Sequence, residues 1–244
     1  MEGTQIATSQ AERVERLKSQ WTETERVILS RRSVRLYKKE QVPEFMVKRI
    51  LEAGRFAPSA GNCQPWKFIV LRDPELIDGI TETVIEICGK FRSILDYRRP
   101  GTTWRRPFTK SFIRIKHNDL HPVPFGAVSM IADRRLGLWH GAPTVILIFQ
   151  DVRGVSSPAL DCGIAGQNMV IAAHSMGLGT CWVGFTKLAF QYTTKWKKRL
   201  GIEYPYTFAS SLSVGWPRGQ PDGMIQRQTH AIDWYEHGAK TTVY

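Results

Sequence analysis

The stretch Pro143-Thr-Val-Ile-Leu-Ile-Phe149 decides how the rest of the chain must be arranged. A strand with one wet face alternates apolar and polar side chains, but Val145 to Phe149 contains no polar residue. It reads as a strand covered on both faces, the middle of a sheet with helices packed above and below. Working outward, Ser157-Pro-Ala-Leu-Asp161 opens a long helix through Ile164, Val170, Ile171 and Ala172, and Gly177 closes it just beyond the last turn. Cys181 to Phe185 predicts a short strand or turn, Thr193 to Leu200 a basic amphipathic helix, and Phe208 to Val214 a strand ending at Gly215-Trp-Pro217. On the other side, Trp66 to Leu71 is a strand, and Pro74 opens a helix through Leu76, Ile77, Ile80, Val84 and Ile87. Pro43, at a first helical position, starts another with Met46, Val47, Ile50 and Leu51 on one face, and this helix must stop before Pro58. Thr22-Glu-Thr-Glu25 has the form of a capping box, and the helix it starts ends near Ser33. Helices mixed with a few strands, without strict alternation, predict an α+β layered fold. We expect one domain over residues 1–244, with residues 1–24 as a helical extension.

Composition excludes several classes. Hydrophobic residues at 42% and charged residues at 23% of 244 positions suit a chain with a full core. No hydrophobic run exceeds five residues, far below the roughly 20 that span a bilayer, so no membrane segment is expected. The N-terminus MEGTQIATSQAERVERLKSQ lacks the apolar centre of a secretion signal, which makes the cytoplasm the expected location. Cys63, Cys88, Cys162 and Cys181 form no CxxC pair, and the six histidines show no paired spacing, so reduced thiols and no metal are expected. His174, on the long helix, reads as a core or interface residue. Neither a P-loop nor a GxSxG elbow occurs, so an enzyme with this sequence would take its reactivity from a cofactor.

The net charge of +12 is unevenly spread. Between residues 90 and 116, nine basic residues against Asp96 leave +8, interleaved with Phe91, Tyr97, Trp104, Phe108 and Phe112. That pattern suits a nucleic-acid groove, a lid over an anionic ligand, or a solvated insertion whose aromatics pack locally. Arg31-Arg-Ser-Val-Arg35 comes where a helix is finishing. Its guanidiniums and hydroxyl suit a phosphate clamp, or simply cations at a helix C-terminus. In RFAPSAGNCQPW, residues 55–66, Ser59, Ala60 and Gly61 allow close approach to a flat ligand, and Asn62 and Gln64 can both donate and accept; a plain connecting loop is the other reading. Gly177-Leu-Gly-Thr-Cys-Trp-Val-Gly-Phe185 lacks the order of a dinucleotide fingerprint, yet Gly184 permits a backbone N–H to approach a ligand. Arg227 is either a late phosphate ligand or a surface arginine.

The segments RRSVRLYKKEQVP, LEAGRFAPSAGNCQPWKFIVLRD, APTVILIF, LDCGIAGQNMVIAAHSMGLGTCWVGF and SLSVGWP, in that order, resemble the flavin-dependent nitroreductase family over most of residues 25–235. The resemblance implies an α+β sandwich with a mostly antiparallel central sheet, an intertwined homodimer, and FMN bound non-covalently in two clefts at the subunit interface. It implies that Pro58, Ser59, Ala60, Asn62 and Gln64 touch the isoalloxazine, usually from the other subunit, with Asn62 at the pyrimidine edge. It also implies that Arg31, Ser33 and Arg35 hold the phosphate and ribityl chain, with Arg32 adding at least its backbone. Backbone N–H groups at Val183 and Gly184 would approach flavin N5, and Arg227 would close on the phosphate. NAD(P)H would give a hydride to N5 and be replaced by a nitroaromatic, quinone or related acceptor in ping-pong turnover. Positive charge and N–H donors would stabilise the negative charge of the reduced ring, so no catalytic acid or base is expected.

The chain departs from the family at about residues 88–142, where family helices cover the substrate face. Here the basic, aromatic segment predicts a lid in which Arg98, Arg99, Trp104, Arg105 and Arg106 favour an aromatic or anionic acceptor. Specialised relatives stay open. The flavin-fragmenting enzymes that make dimethylbenzimidazole carry Asp where this chain has Ser33, and the iodotyrosine deiodinases grip a zwitterion under a lid. In a different class, binding of nucleic acid by the basic segment would show as salt-dependent affinity without turnover.

Overall fold

The computed structural model describes residues 20–95, 101, 103–115, 122–219 and 230–243. Four strands form one antiparallel sheet in the order β1-β2-β4-β3, with β1 at Trp66–Leu71, β2 at Thr144–Asp151, β3 at Gly179–Trp182 and β4 at Tyr206–Gly215. The helices are α1 (Glu23–Ser30), α2 (Glu44–Arg55), α3 (Pro74–Leu95), α4 (Arg106–Ile115), α5 (Pro122–Ala132), α6 (Pro158–Ser175), α7 (Lys187–Gln191) and α8 (Lys195–Arg199). A separate hairpin joins β5 (Ile232–Glu236) to β6 (Ala239–Val243). The layered α+β architecture expected from the sequence is present.

Strand β2 is the seam of two cores. Val145, Leu147 and Phe149 point into a cluster with Ile80, Val84 and Cys88 of α3, Phe190, Trp196 and Phe208. Ile146 and Ile148 point the other way, into a cluster with Met46, Val47 and Ile50 of α2 and Cys162, Met169, Val170 and Ala173 of α6. All five are fully buried, so the unbroken apolar run is explained by helices on both faces. Helix α6 lies close to the sheet because Gly166 has no side chain: a Cβ there would stand 2.1 Å from the Trp182 ring.

Helix α1 begins with the expected capping box, in which the Glu25 N–H donates to Thr22 Oγ1 (3.2 Å) and the Thr22 N–H to Glu25 Oε2 (2.8 Å). It ends at Ser30, three residues earlier than expected, because the Val34 N–H pairs with the Thr180 carbonyl (2.9 Å) and draws residues after Ser30 into an extended course beside β3. Pro43 caps α2 from outside (ψ 138°) instead of being its first residue. The helix expected from Thr193 contracts to five residues around buried Trp196. Neither α7 nor the C-terminal hairpin is foreshadowed in the sequence reading. In the hairpin, Ile232 and Trp234 share one face, while Asp233 on the other pairs with Lys240 (2.9 Å) and Thr242 (2.9 Å). Ile232 and Trp234 are 51% and 59% exposed, so no described residue covers the apolar face. No described helix is long and apolar enough to cross a membrane.

Candidate functional site

Two loops hang from the edge of the sheet. The first is Arg31–Tyr37. Ser33 makes a parallel bridge to Thr180, so this stretch follows β3, and period-two alternation buries Val34 while leaving Ser33 and Arg35 exposed. A Cβ on Gly179 would lie 2.6–2.9 Å from three Val34 side-chain atoms, so glycine at 179 is what lets the segment seat this closely. Tyr37 fixes the far end. Its hydroxyl donates to the Val34 carbonyl (2.8 Å) and lies 2.8 Å from Ser213 Oγ in β4, and burial pushes the Tyr37 phenol above its ordinary range.

Electrostatics show where the cations converge. Half-buried His174, whose Nε2 lies 2.9 Å from Ser30 Oγ, is held below its ordinary pKa by burial and then by Arg31 and Arg32. Burial raises the Cys181 thiol, and Arg35 and Arg31 act against that rise. His140 is lowered by burial and by Arg35. Neither the Arg31 nor the Arg35 guanidinium has a hydrogen bond or ion pair among the described residues. Unneutralised guanidiniums flanking a hydroxyl suit a dianionic phosphate. Arg32 differs, since its guanidinium donates to the carbonyls of Leu29 and Arg31 (2.8 Å each), closing the end of α1.

The second loop leaves β3 at Val183–Gly184, about 13 Å along the strand from Thr180 at 3.3 Å per residue. The Val183 N–H donates to the Ser211 carbonyl (2.8 Å) and is not available to a ligand. The Gly184 N–H has no acceptor among the described residues. A Cβ at exposed Gly184 would meet nothing within 4 Å, and its φ is not left-handed, so neither packing nor backbone requires glycine there. What it preserves is open space beside that N–H.

Pro58, Ser59, Ala60, Asn62 and Gln64 lie elsewhere. This loop holds Gly61, Asn62 and Gln64 at positive φ (57°, 54° and 46°), an uncommon conformation for the two amides. It is braced by Gln64 N–H to Ser59 Oγ (2.9 Å), Gln64 Nε2 to Asn62 Oδ1 (3.1 Å), and Ala60 N–H to Oδ2 of buried Asp161 (3.4 Å). Asp161 opens α6 and His174 closes it, thirteen residues or about 20 Å apart at 1.5 Å per residue. The structure thus places Arg31, Ser33 and Arg35 at the start of the β3 edge and Gly184 further along it, where β3 runs back beside α6 through the Trp182–Gly166 contact, and it leaves Asn62 at the end of α6 opposite the arginines in the same chain. In the basic segment, Arg105 donates to the Ser93 carbonyl (2.7 Å) and stacks on Trp104, while Arg106 is exposed. Arg98, Arg99 and Arg227 lie outside the described residues.

Sequence reasoning passed over Tyr37, Ser211 and Ser213, and it read His174 only as a core or interface residue. One signal was available: Ser210-Ser211-Leu212-Ser213 puts hydroxyls inside a central strand, and buried hydroxyls must have partners.

A model of the Nitroreductase family matches residues 28–216, which include both loops and the Pro58–Gln64 turn. A protein described as "Putative NADH dehydrogenase/NAD(P)H nitroreductase" from Methanothermobacter thermautotrophicus is 31% identical over 160 residues, 64% of this chain and 58% of that protein, so the chain spans little more than half of its length. One of the same description from Archaeoglobus fulgidus is 26% identical over 197 residues, covering 81% of this chain and 87% of that protein. Among solved structures, a nitroreductase with bound FMN from Desulfitobacterium hafniense shares the fold, with a TM-score of 0.63 over 85% of this chain and 95% of the other at 24% identity. On its sequence from Ile28 to Trp216 and on its fold, the chain belongs to the nitroreductase family.

Proposed function

We propose that the protein is an FMN-dependent oxidoreductase that accepts a hydride from NAD(P)H and passes electrons to a small aromatic or anionic acceptor of the nitroaromatic or quinone type. The observation that carries this reading is the pairing, along one strand edge, of two unneutralised cations, Arg31 and Arg35, with the outward Gly184 N–H. FMN, when bound, supplies the redox chemistry through its N5. Arg31, Arg35 and the Ser33 hydroxyl bind the phosphate end, and Arg227 joins them. Arg32 stiffens the end of α1 beneath them. The Gly184 N–H would lie on the ring side and favour negative charge there.

Completing the site takes a second copy of the chain. Asn62 stands about 20 Å along α6 from the arginines of its own chain, so Pro58, Ser59, Ala60, Asn62 and Gln64 of the partner subunit serve each site of a homodimer. The uncovered apolar face of the C-terminal hairpin supports the same assembly, since a lone two-stranded hairpin is marginal in water. The exposed stretch around Trp104, Arg106 and Lys110 acts as the lid within a single domain, with Trp104 and Arg106 toward the acceptor and Arg105 supporting Trp104, whereas Cys88, Ile131 and Trp139, which lie within the 88–142 interval expected to form it, are buried in the core. The four unpaired cysteines suit the reducing cytoplasm.

An absorbance spectrum of the purified protein incubated with FMN, followed by anaerobic NADPH and NADH in turn, tests the reading. The expected result is a bound flavin band that bleaches with one donor or both. A protein that stays colourless overturns it, and the basic segment is then tested for polyanion binding. Sedimentation velocity tests the second copy: a monomer that binds FMN in full overturns the partner assignment.

A further inference from the structure

One buried polar group in β4 plays no part in the proposed site. Ser211 is fully buried in β4, and its Oγ has three partners: the Val183 carbonyl (2.8 Å), Trp139 Nε1 (3.2 Å) and Thr186 Oγ1 (2.9 Å). A carbonyl cannot donate, so the single Ser211 proton goes to Val183. The indole N–H donates to Ser211, and with that proton committed, the Thr186 hydroxyl must donate as well. Both lone pairs are then filled, and Trp139 (3% exposed) and Thr186 (fully buried) admit no water to compete. Ser211 also accepts the Val183 N–H on its main-chain carbonyl (2.8 Å). Val183 is therefore gripped by one residue at both its N–H and its C=O.

In a trans peptide, the carbonyl and the following N–H point in opposite directions. The only cis bond among the described residues is Tyr204-Pro205, so the Val183–Gly184 peptide is trans. With its carbonyl bonded inward to Ser211, its N–H, which belongs to Gly184, points out of the core. Two donors feeding the Ser211 oxygen strengthen its own O–H as a donor, and a hydrogen bond on the carbonyl strengthens the N–H of the same amide.

We propose that Ser211 is a positioning residue: from inside the core, its hydroxyl aims and polarises the Gly184 N–H toward the bound ring, with Trp139 and Thr186 fixing its orientation. The proposal rests on the FMN reading for the identity of the ring. The hold of Ser211 on Val183 does not depend on it.

The test uses isotope-labelled full-length protein, wild type and Ser211→Ala, with Ser211→Cys, a near-isosteric weak donor, as the second variant should the alanine form not fold. In the apoprotein, the Val183 carbonyl carbon resonance shifts in either variant; an unchanged resonance overturns the hold, whatever the protein binds. After FMN addition, Gly184 amide exchange slows in wild type, and the variants lose about fivefold or more of that protection while the slow-exchanging amides of β2 keep theirs. Variants with wild-type Gly184 protection and only a lowered melting temperature show that Ser211 is merely structural, which overturns the proposal. Failure of wild type to bind FMN overturns the functional reading, and the carbonyl shift still decides the hold.

Discussion

The segments Arg31–Arg35 and Arg105–Lys110 are equally rich in cations and differ in what lies beneath them. The first is zipped to β3 through Thr180, seated on Gly179 through buried Val34, and pinned through Tyr37 to Ser213. The second is held more loosely, by Arg105 on the Ser93 carbonyl and by buried Thr109, and it leaves Trp104 and Phe108 65% and 71% exposed. Charge density marks both alike. Anchoring distinguishes them, because a clamp whose arms are already in place loses less conformational entropy when the anion arrives.

The largest effect should therefore come from the anchored pair. Arg31→Ala/Arg35→Ala removes two charge-assisted contacts of about 1.5–3 kcal/mol each, so FMN dissociation, followed by flavin fluorescence, should rise by about 10²–10⁴-fold. An equal rise in Arg106→Ala/Lys110→Ala would break the comparison outright.

The seat itself comes next. Gly179→Ala drives a methyl into Val34 and should cost about 1–3 kcal/mol in urea denaturation, with FMN affinity falling in parallel because Ser33 and Arg35 flank the displaced residue. Val34→Ala in the same chain should restore much of the affinity. If Gly179→Ala weakens the fold but leaves FMN affinity intact, the seating is not what positions the clamp. Tyr37→Phe removes both buried contacts of the hydroxyl, to the Val34 carbonyl and to Ser213 Oγ, and should cost about 1–3 kcal/mol, with a smaller loss of affinity.

These residues also show where the sequence was legible. The β2 run, the α1 capping box and the Gly177 closure of α6 were readable because each is a local pattern with a local cause. The proposed Arg31–Arg35 clamp was half readable. The residue types were plain, but not that Arg32 turns back onto α1, since that depends on where the helix stops, and the stop is set by Thr180, nearly 150 residues away. Tyr37 and Ser211 were opaque for the same reason: a hydroxyl's partner is set by tertiary contact. The hairpin went unread because Ile232 and Trp234 alternate over only five residues, and their apolar face meets nothing in the described chain.

A weaker effect follows from His174. Unfolded, its ring takes a proton near pH 6.5; folded, its burial first and then Arg31 and Arg32 make it resist until lower pH. The unfolded state thus binds more protons across that interval, so stability falls as pH drops below 6.5 and levels off beneath the folded value. His174→Gln should make that fall shallower in denaturation at pH 7, 6 and 5. His140, lowered in the same direction by burial and Arg35, accounts for part of the remaining slope. Bound FMN should also flatten the profile by neutralising the arginines; a profile indifferent to both changes would remove His174 from the clamp.

The smallest effect on the fold, and the one that sharpens the comparison most, belongs to the more loosely held segment. Arg106 and Lys110 are exposed and rest on no buried network, so Arg106→Ala/Lys110→Ala should change stability by no more than about 0.5 kcal/mol and leave FMN affinity within about twofold. If the segment works as a lid, the change appears in turnover: KM for an anionic acceptor should rise about two- to tenfold, that for a neutral quinone hardly at all. Because exposed charges are screened, raising salt should reproduce much of that increase in wild type and add little in the variant. An anionic acceptor whose KM ignores both the substitution and the salt would mean that the basic segment is a solvated face, and that the anchored arginines carry all of the protein's functional charge.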